Sequence, residues 1–249
     1  MKTSSPLSES QFLAPLQLES GIGELLSLDI DESHHAVKVF RHRVGDRLRL
    51  GNGAGIQGVG VVIEANSERC VVQVEDVFSL QTCPRIHLAI AALKDNDLEE
   101  VMESCGQLPL ASLTLLRTDH SQEPRDSDLK RTIRRLELKS MVAFKQSLKP
   151  WLTSVHGPVP FSSWIFQNSS QILLCDMEGS VTLPHSNLQD PTTPPLTLLI
   201  GPEGGFSDAE MTAARAKNAL LLRLGSTRLR AKTCPAIALG ALIGMGCRF

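Results

Sequence analysis

Leu198-Leu199-Ile200-Gly201-Pro202-Glu203-Gly204-Gly205-Phe206-Ser207-Asp208-Ala209-Glu210 reads as a buried strand, a glycine-rich turn and a capped helix in immediate succession. The leading residues are apolar on both faces, as a central strand of a covered parallel sheet must be. Glycines around Pro202 let the backbone adopt conformations that other residues resist and approach a bound molecule closely. Ser207 and Glu210 form an S-x-x-E capping box, which marks where the helix begins.

Two nucleotide-binding readings of such a turn fail on spacing. A phosphate loop needs Gly-Lys-Ser/Thr to bring a lysine and a metal-holding hydroxyl to the phosphates, whereas Gly205 is followed by Phe206. A dinucleotide fingerprint needs G-x-G-x-x-G at the start of a βαβ unit, and the glycines here stand at 201, 204 and 205. A tight turn without a ligand remains open by fold logic alone. Beyond it, Leu220-Leu221-Leu222-Arg223-Leu224-Gly225 predicts another strand ending in glycine, followed by the loop Ser226-Thr227-Arg228-Leu229-Arg230-Ala231-Lys232-Thr233. Thr233 or Cys234 is placed to cap a closing helix with Pro235 at its first position, where a missing N–H costs nothing, and the helix runs apolar to about Gly244.

On these residues the chain resembles the SPOUT superfamily of knotted methyltransferases, and within it the RsmE family, which methylates N3 of a uridine in small-subunit ribosomal RNA. The resemblance is carried by Ile200 to Ser207 with Glu210, and by Leu224-Gly225 followed by Leu229-Arg230 and Thr233. A second match, His34-His35-Ala36-Val37-Lys38-Val39-Phe40-Arg41 followed by Gly45-Asp46-Arg47-Leu48-Arg49-Leu50, looks like the start of the family's small RNA-binding domain. The resemblance implies an α/β fold: a C-terminal SPOUT methyltransferase domain with a parallel sheet and a trefoil knot, over residues 83–249, preceded by a small all-β, PUA-like domain over residues 1–82. Such a knot is rare among protein topologies. It further implies S-adenosylmethionine held at Leu199, Ile200, Gly201, Pro202, Glu203 and Gly204 and at Leu224, Gly225 and Leu229, largely through backbone groups. A homodimer is implied as well, the second subunit completing the RNA site.

The chain departs from the family pattern at Thr227, where arginine is usual, and at Lys232, where glutamate is usual. The family's central Q-S-G-R element appears as Gln146-Ser147-Leu148-Lys149, and Gln107-Leu108-Pro109 stands for a common E-L-G.

Arg230 is the candidate catalytic residue. Uracil N3 is a poor nucleophile while protonated, so methyl transfer requires its deprotonation, and a guanidinium on a uracil carbonyl would stabilise the developing charge. The alternative is an arginine that anchors its loop on carbonyl oxygens. Glu203 either orders the turn through backbone N–H groups or acts on base or cofactor, and Lys232 is either solvated or touches an RNA phosphate. Lys38, Arg41, Arg43 and Arg47, with His42 and Arg49 beside them, are the candidate RNA contacts, positioning a substrate through its phosphates. The helical stretch bearing Lys130, Arg131, Arg134, Arg135, Lys139, Lys145 and Lys149 reads equally as a solvated face or a second RNA contact.

Composition limits the choices. The 249 residues suffice for one large domain or two modest ones, with 42% hydrophobic content to fill their cores. A net charge of −2 gives no overall basic signature, so RNA affinity must come from local patches. Cysteines at 70, 83, 105, 175, 234 and 247 show neither C-x-x-C nor Cys/His ligand spacing, so neither a metal site nor a disulfide framework is expected. No apolar run approaches a membrane span, and a cytoplasmic protein is expected. Tyrosine is absent and Trp151 and Trp164 are isolated, which argues against an extended aromatic platform for single strands.

Short extended runs broken by turns, Arg47 to Leu50, Gly58 to Ile63 and Cys70 to Phe78, predict a small all-β unit, with Gln81-Thr82-Cys83-Pro84 as a linker. Strands at Ile86 to Leu93, Leu113 to Leu116, Ile172 to Cys175 and Leu196 to Ile200 then alternate with helices at Asp97 to Leu108 and Ser127 to Leu148. That alternation predicts a parallel sheet, with Pro191, Pro194 and Pro195 marking a loop before its last units. A SPOUT enzyme with another RNA target, and a non-catalytic RNA-binding or assembly protein of the same fold, stay open as alternatives.

Overall fold

A computed structural model describes residues 6–79, 83–121, 126–180 and 193–244. Gln81 and Thr82 of the expected linker, Pro191 and Cys247 lie outside the described residues. The chain divides into two compact units, Met1–Cys83 with Phe144–Leu152, and Pro84–Ala143 with Thr153–Phe249.

The first unit contains β1 (Leu7–Leu13), β2 (Leu25–Ser27), α1 (Ile30–His34), a π-helical turn (His35–Val39), β3 (Arg47–Gly51), β4 (Ile56–Ala65) and β5 (Cys70–Ser79). Its sheet has the order β1-β3-β4-β5-β2, with β1 parallel to β3 and the other pairs antiparallel. Alternation in Arg47-Leu48-Arg49-Leu50 turns both leucines into a core shared with Phe12, Leu16, Val62, Val72 and Val74. Glycine is required where β4 bulges between Val59 and Gly60, because a Cβ on Gly58 would lie 2.5 Å from the Asp76 carbonyl oxygen.

Residues 144–152 complete this unit through its buried glutamines. The Gln11 amide Nε2 donates to the carbonyls of Phe144 and Lys149, both at 2.8 Å. The Gln57 amide donates to the Leu148 carbonyl and to Gln11 Oε1, both at 2.9 Å. Gln146 and Ser147 thus end a helix, Leu148 follows left-handed at φ 56°, and the carbonyls of Leu148 and Lys149 are satisfied by side chains from β4 and β1. Trp151 follows and fills the space that a side chain on Gly55 would need.

The second unit has a six-stranded sheet built from β6 (Ile86–Ala91), β7 (Ser112–Arg117), β8 (Ser154–Pro160), β9 (Gln171–Ser180), β10 (Leu196–Ile200) and β11 (Leu220–Leu222). Its order is β11-β9-β10-β6-β7-β8 and every pairing is parallel. The helices are α2 (Asp95–Cys105), α3 (Asp126–Ser147), α4 (Phe161–Gln167), α5 (Asp208–Ala216) and α6 (Cys234–Gly244). Ile86, Leu88 and Ile90 join Leu196, Leu198 and Ile200 under residues of α2, α3 and α6, while Ala89 and Leu199 point to the opposite face, under α4 and α5. Both faces are covered, which is why these strands carry almost no polar residues.

Several details differ from expectation. β1, β8 and α4 are additional elements; β8 contains Pro158 and Pro160 and is an edge strand, where missing N–H donors are tolerated. α2 begins at Asp95 rather than Asp97, and β11 stops at Leu222. α6 starts at Cys234, so Pro235 occupies its second position. Among the described residues no helix is long and apolar enough to cross a membrane.

Burial lowers the pKa of Lys149 from 10.5 to about 8. Between pH 8 and 10.5 the unfolded chain therefore holds a proton there that the folded chain has released, and this group's contribution to stability rises with pH. Lys149→Met should raise the melting temperature at pH 7 by about 2–4 °C. Thermal melts at pH 7 and pH 10 should show that advantage shrinking; an equal advantage at both would mean Lys149 is not desolvated.

Candidate functional site

A cavity of about 670 Å³ opens in the second unit at the carboxyl ends of β10 and β11 and along the outer half of β9. Ligands of parallel α/β sheets bind at this end of the strands. Its walls come from Cys175 to Glu178 of β9, from Ile200 to Glu203 with Gly205 and Phe206, and from Leu222, Leu224, Thr227 to Ala231 and Cys234.

The glycine turn is built from below. Ser207 and Glu210 make the expected capping box: the Glu210 carboxylate accepts from the Ser207 N–H at 2.9 Å, and the Ser207 hydroxyl accepts from the Glu210 N–H at 3.3 Å. Glu210 is 7% exposed, and its other oxygen accepts from the Asp119 N–H at 3.0 Å, so the loop after β7 is tied to the start of α5. The Ser207 hydroxyl donates to the Asp119 carboxylate, and His120 Nδ1 lies 3.1 Å from the Gly205 carbonyl oxygen.

Each glycine of the turn answers a separate constraint. A Cβ on Gly201 would approach the Phe206 ring to 3.0 Å, and one on Gly204 would come within 3.2 Å of the His120 Cβ. Gly205 has φ +75°, a left-handed conformation suited to a residue without Cβ. The Gly205 N–H donates to the Pro202 carbonyl at 2.9 Å, closing a β-turn.

Of the residues expected at a cofactor, Ile200, Gly201, Pro202, Glu203, Leu224 and Leu229 line the cavity, together with Arg230. Leu199 is fully buried in the opposite core, and Gly204 and Gly225 do not form the wall. Arg228, Phe206 and Cys175 to Glu178 also line it and were not anticipated. Asp176 and Glu178 carry no motif; the available signal was an apolar strand that turns acidic toward its carboxyl end. Arg228 Nη2 donates to the Glu203 carbonyl at 2.9 Å, joining the two cavity loops through a side chain.

Two thiols meet on the wall. Cys175 and Cys234 act on each other side chain to side chain, which lowers the Cys234 pKa and raises that of Cys175. Cys234 is also the first residue of α6, where the helix dipole favours a thiolate. Cys105 is buried, which pushes its thiol up to about 12.

Three of the basic residues in this unit, Lys232, Arg135 and Lys139, pair with acids of α2. Lys232 bonds Asp97 at 2.8 Å and Glu100 at 2.9 Å, and these contacts raise its pKa. Its role is an internal one, differing from both readings left open by the sequence. Arg135 and Lys139 lie 3.4 and 3.7 Å from Glu99, and Lys139 also pairs with Glu103. In the first unit Lys145 pairs with Glu32.

The N-terminal basic cluster lies in the first unit. Lys38, Arg41 and Arg43 are exposed, whereas Arg47 pairs with Glu75 at 2.8 Å and Arg49 donates to the Ser8 carbonyl at 3.0 Å. The His42 ring is 3.4 Å from the Asp46 carboxylate, which also accepts the Arg43 backbone N–H.

Residues 80–243 match the model of an RNA methyltransferase domain, and residues 28–75 match that of an RNA methyltransferase PUA domain. The chain is 26% identical to a ribosomal RNA small subunit methyltransferase E of Synechocystis sp., over 94% of this chain and 79% of the relative. It is likewise 26% identical to the protein of that name from Rickettsia conorii, covering 93% and 96%. The crystal structure of a ribosomal RNA small subunit methyltransferase E from Neisseria gonorrhoeae bound to S-adenosyl methionine superposes with a TM-score of 0.81 at 18% identity, covering 95% of this chain and 97% of the other, and so shares its fold.

The thiol arrangement predicts selective alkylation. Iodoacetamide at pH 7.5 should label Cys234 at least roughly a hundredfold faster than Cys105, and Cys175→Ala should slow Cys234. Peptide mapping by mass spectrometry checks both; an unchanged rate in Cys175→Ala would remove the Cys175 side chain as the activating cause. Lys232→Glu, which installs the acid usual in the resembled family, should lower the melting temperature by setting like charges beside Asp97 and Glu100, and adding Asp97→Lys should recover it. A melting temperature unchanged by Lys232→Glu would show that these pairs contribute nothing.

Proposed function

Since this chain belongs to the RNA methyltransferase family, we propose that it transfers a methyl group from S-adenosylmethionine to N3 of a uridine in small-subunit ribosomal RNA. The observation that carries the reading is the position of Arg230 on the wall of the cavity made by the two motif loops. The residues present fit the cofactor. Ile200, Leu222, Leu224, Leu229 and Ala231 offer an apolar wall to an adenine ring, and the adjoining main chain offers hydrogen-bonding groups to its edge. Asp176 and Glu178 are carboxylates at the same cavity, suited to ribose hydroxyls or an ammonium group.

When bound, S-adenosylmethionine supplies an electrophilic methyl group on a sulfonium. Uracil N3 becomes nucleophilic once its proton passes to solvent, and S-adenosylmethionine would then supply the methyl group and depart as the neutral thioether. Arg230 donates to a uracil carbonyl and stabilises the negative charge that spreads onto it as that proton departs. Arg228 holds the Glu203 segment against the second loop and so keeps the wall in register. Lys38, Arg41 and Arg43 engage RNA phosphates, which position the substrate without selecting the base. The assignment of RNA recruitment to residues 1–82 and transfer to residues 83–249, the trefoil crossing, a homodimer and a cytoplasmic location belong to the same proposal.

Small ribosomal subunits lacking the modification, incubated with labelled S-adenosylmethionine, should yield N3-methyluridine by nucleoside mass spectrometry. Arg230→Ala should lower turnover by about 10²- to 10³-fold while leaving cofactor affinity nearly unchanged. A loss confined to cofactor affinity would make Arg230 a cofactor anchor. A different modified nucleoside would assign another RNA position, and neither transfer nor cofactor binding would leave an RNA-binding protein of this fold.

A further inference from the structure

The corner between α1 and β3 exposes an aromatic surface inside the basic cluster. Phe40 is 43% exposed, and Val39 and Val44 beside it are 55% and 64% exposed. The Phe40 ring lies 5.5 Å from His35 at 30° and 6.0 Å from His42 at 22°, so each imidazole packs against it in an offset, stacked arrangement. Phe12, 1% exposed, meets Phe40 edge-on at 5.7 Å and 80° and anchors it to the core. At centroid separations of this size the rings overlap only partly, leaving much of Phe40 open to solvent.

The backbone is distorted to make this presentation. The Phe40 N–H donates to the His35 carbonyl and the His42 N–H to the Ala36 carbonyl, both at 3.0 Å. The first of these bonds closes a π-helical turn and the second spans one residue more, around Arg41 at φ +59°, left-handed without being glycine. Such distortions cost free energy and cluster at functional sites.

We infer that Phe40, packed beside His35 and His42, is a stacking surface for an unpaired base of the RNA substrate, with Lys38, Arg41 and Arg43 on the adjoining phosphates. The inference rests on the RNA-methyltransferase reading and adds to it an uncharged contact with a nucleobase. The flanking cations favour nucleic acid over an apolar protein partner, because they would be stranded without counter-charge in a dry protein interface. Stacking accepts any base, so the contact would favour a single-stranded segment over a duplex without reading sequence.

The test uses the full chain with a single-stranded oligoadenylate and a duplex of equal length. Phe40→Leu and Phe40→Ala should weaken single-strand binding by about 5- to 100-fold. The slope of log affinity against log salt should not change, since no ionic contact is lost. Phe40→Trp should keep the affinity and gain fluorescence that RNA quenches, beyond the signal of Trp151 and Trp164. Arg41→Ala with Arg43→Ala should instead flatten the salt slope by about 2. Melting temperature and S-adenosylmethionine affinity serve as controls for folding. Phe40→Leu binding as tightly as the parent, or flattening the salt slope, would overturn the stacking role alone. No RNA binding by the parent chain would overturn the RNA reading with it, and capture of protein rather than RNA at Phe40 would also defeat the inference.

Discussion

The carboxylate of Glu210 is the constraint on which the cavity is built. A buried carboxylate is costly unless its oxygens are hydrogen-bonded, and here one accepts from Ser207 at the start of α5 while the other accepts from Asp119 after β7. The helix N-terminus adds a favourable field for the negative charge. Through these contacts the glycine turn is fixed at both ends, with Phe206 packed under Gly201 and His120 beside Gly204. Arg228 then carries the order across to the second loop by donating to the Glu203 carbonyl. The cavity wall is largely backbone because the side chains that shape it are engaged behind or across it.

Charge is organised in the same local way. One edge of α2 presents Asp97 and Glu100 to Lys232, and another presents Glu99 and Glu103 to Arg135 and Lys139. Exposed ion pairs of this kind contribute little individually, but they decide which cations are occupied by a neighbour. What stands out by contrast is the short segment from Lys38 to Arg43, where the exposed cations surround an aromatic ring.

The legible parts of the sequence were those governed by local rules. The run at Leu196 to Ile200 is apolar on both faces and proved a central strand, and Ser207 with Glu210 marked the helix start through a capping box that needs only four consecutive residues. Features that depend on distant partners were hidden. β1 pairs with β3 in a parallel register that no turn announces, and the affinity of Gln11 and Gln57 for the carbonyls of Phe144, Leu148 and Lys149 spans most of the first half of the chain. The seven-cation stretch in and after α3 read equally as a solvated face or an RNA contact because the acids opposing Arg135 and Lys139 lie on α2, and Glu32, opposing Lys145, lies in α1. In the cavity, Cys175 and Cys234 are far apart in sequence and meet only because β9 and α6 border the same wall. Glycine was rightly singled out, yet its reasons at 201 and 204 are the neighbouring Phe206 and His120 rather than only the approach of a ligand.

The first unit takes its final piece from residues 144–152, after the chain has already built part of the second. During synthesis, Gln11 and Gln57 therefore meet water in place of their carbonyl partners until the ribosome has delivered some sixty further residues beyond Cys83. The same arrangement bears on dissection: a fragment of only the leading residues would leave behind the segment that closes them.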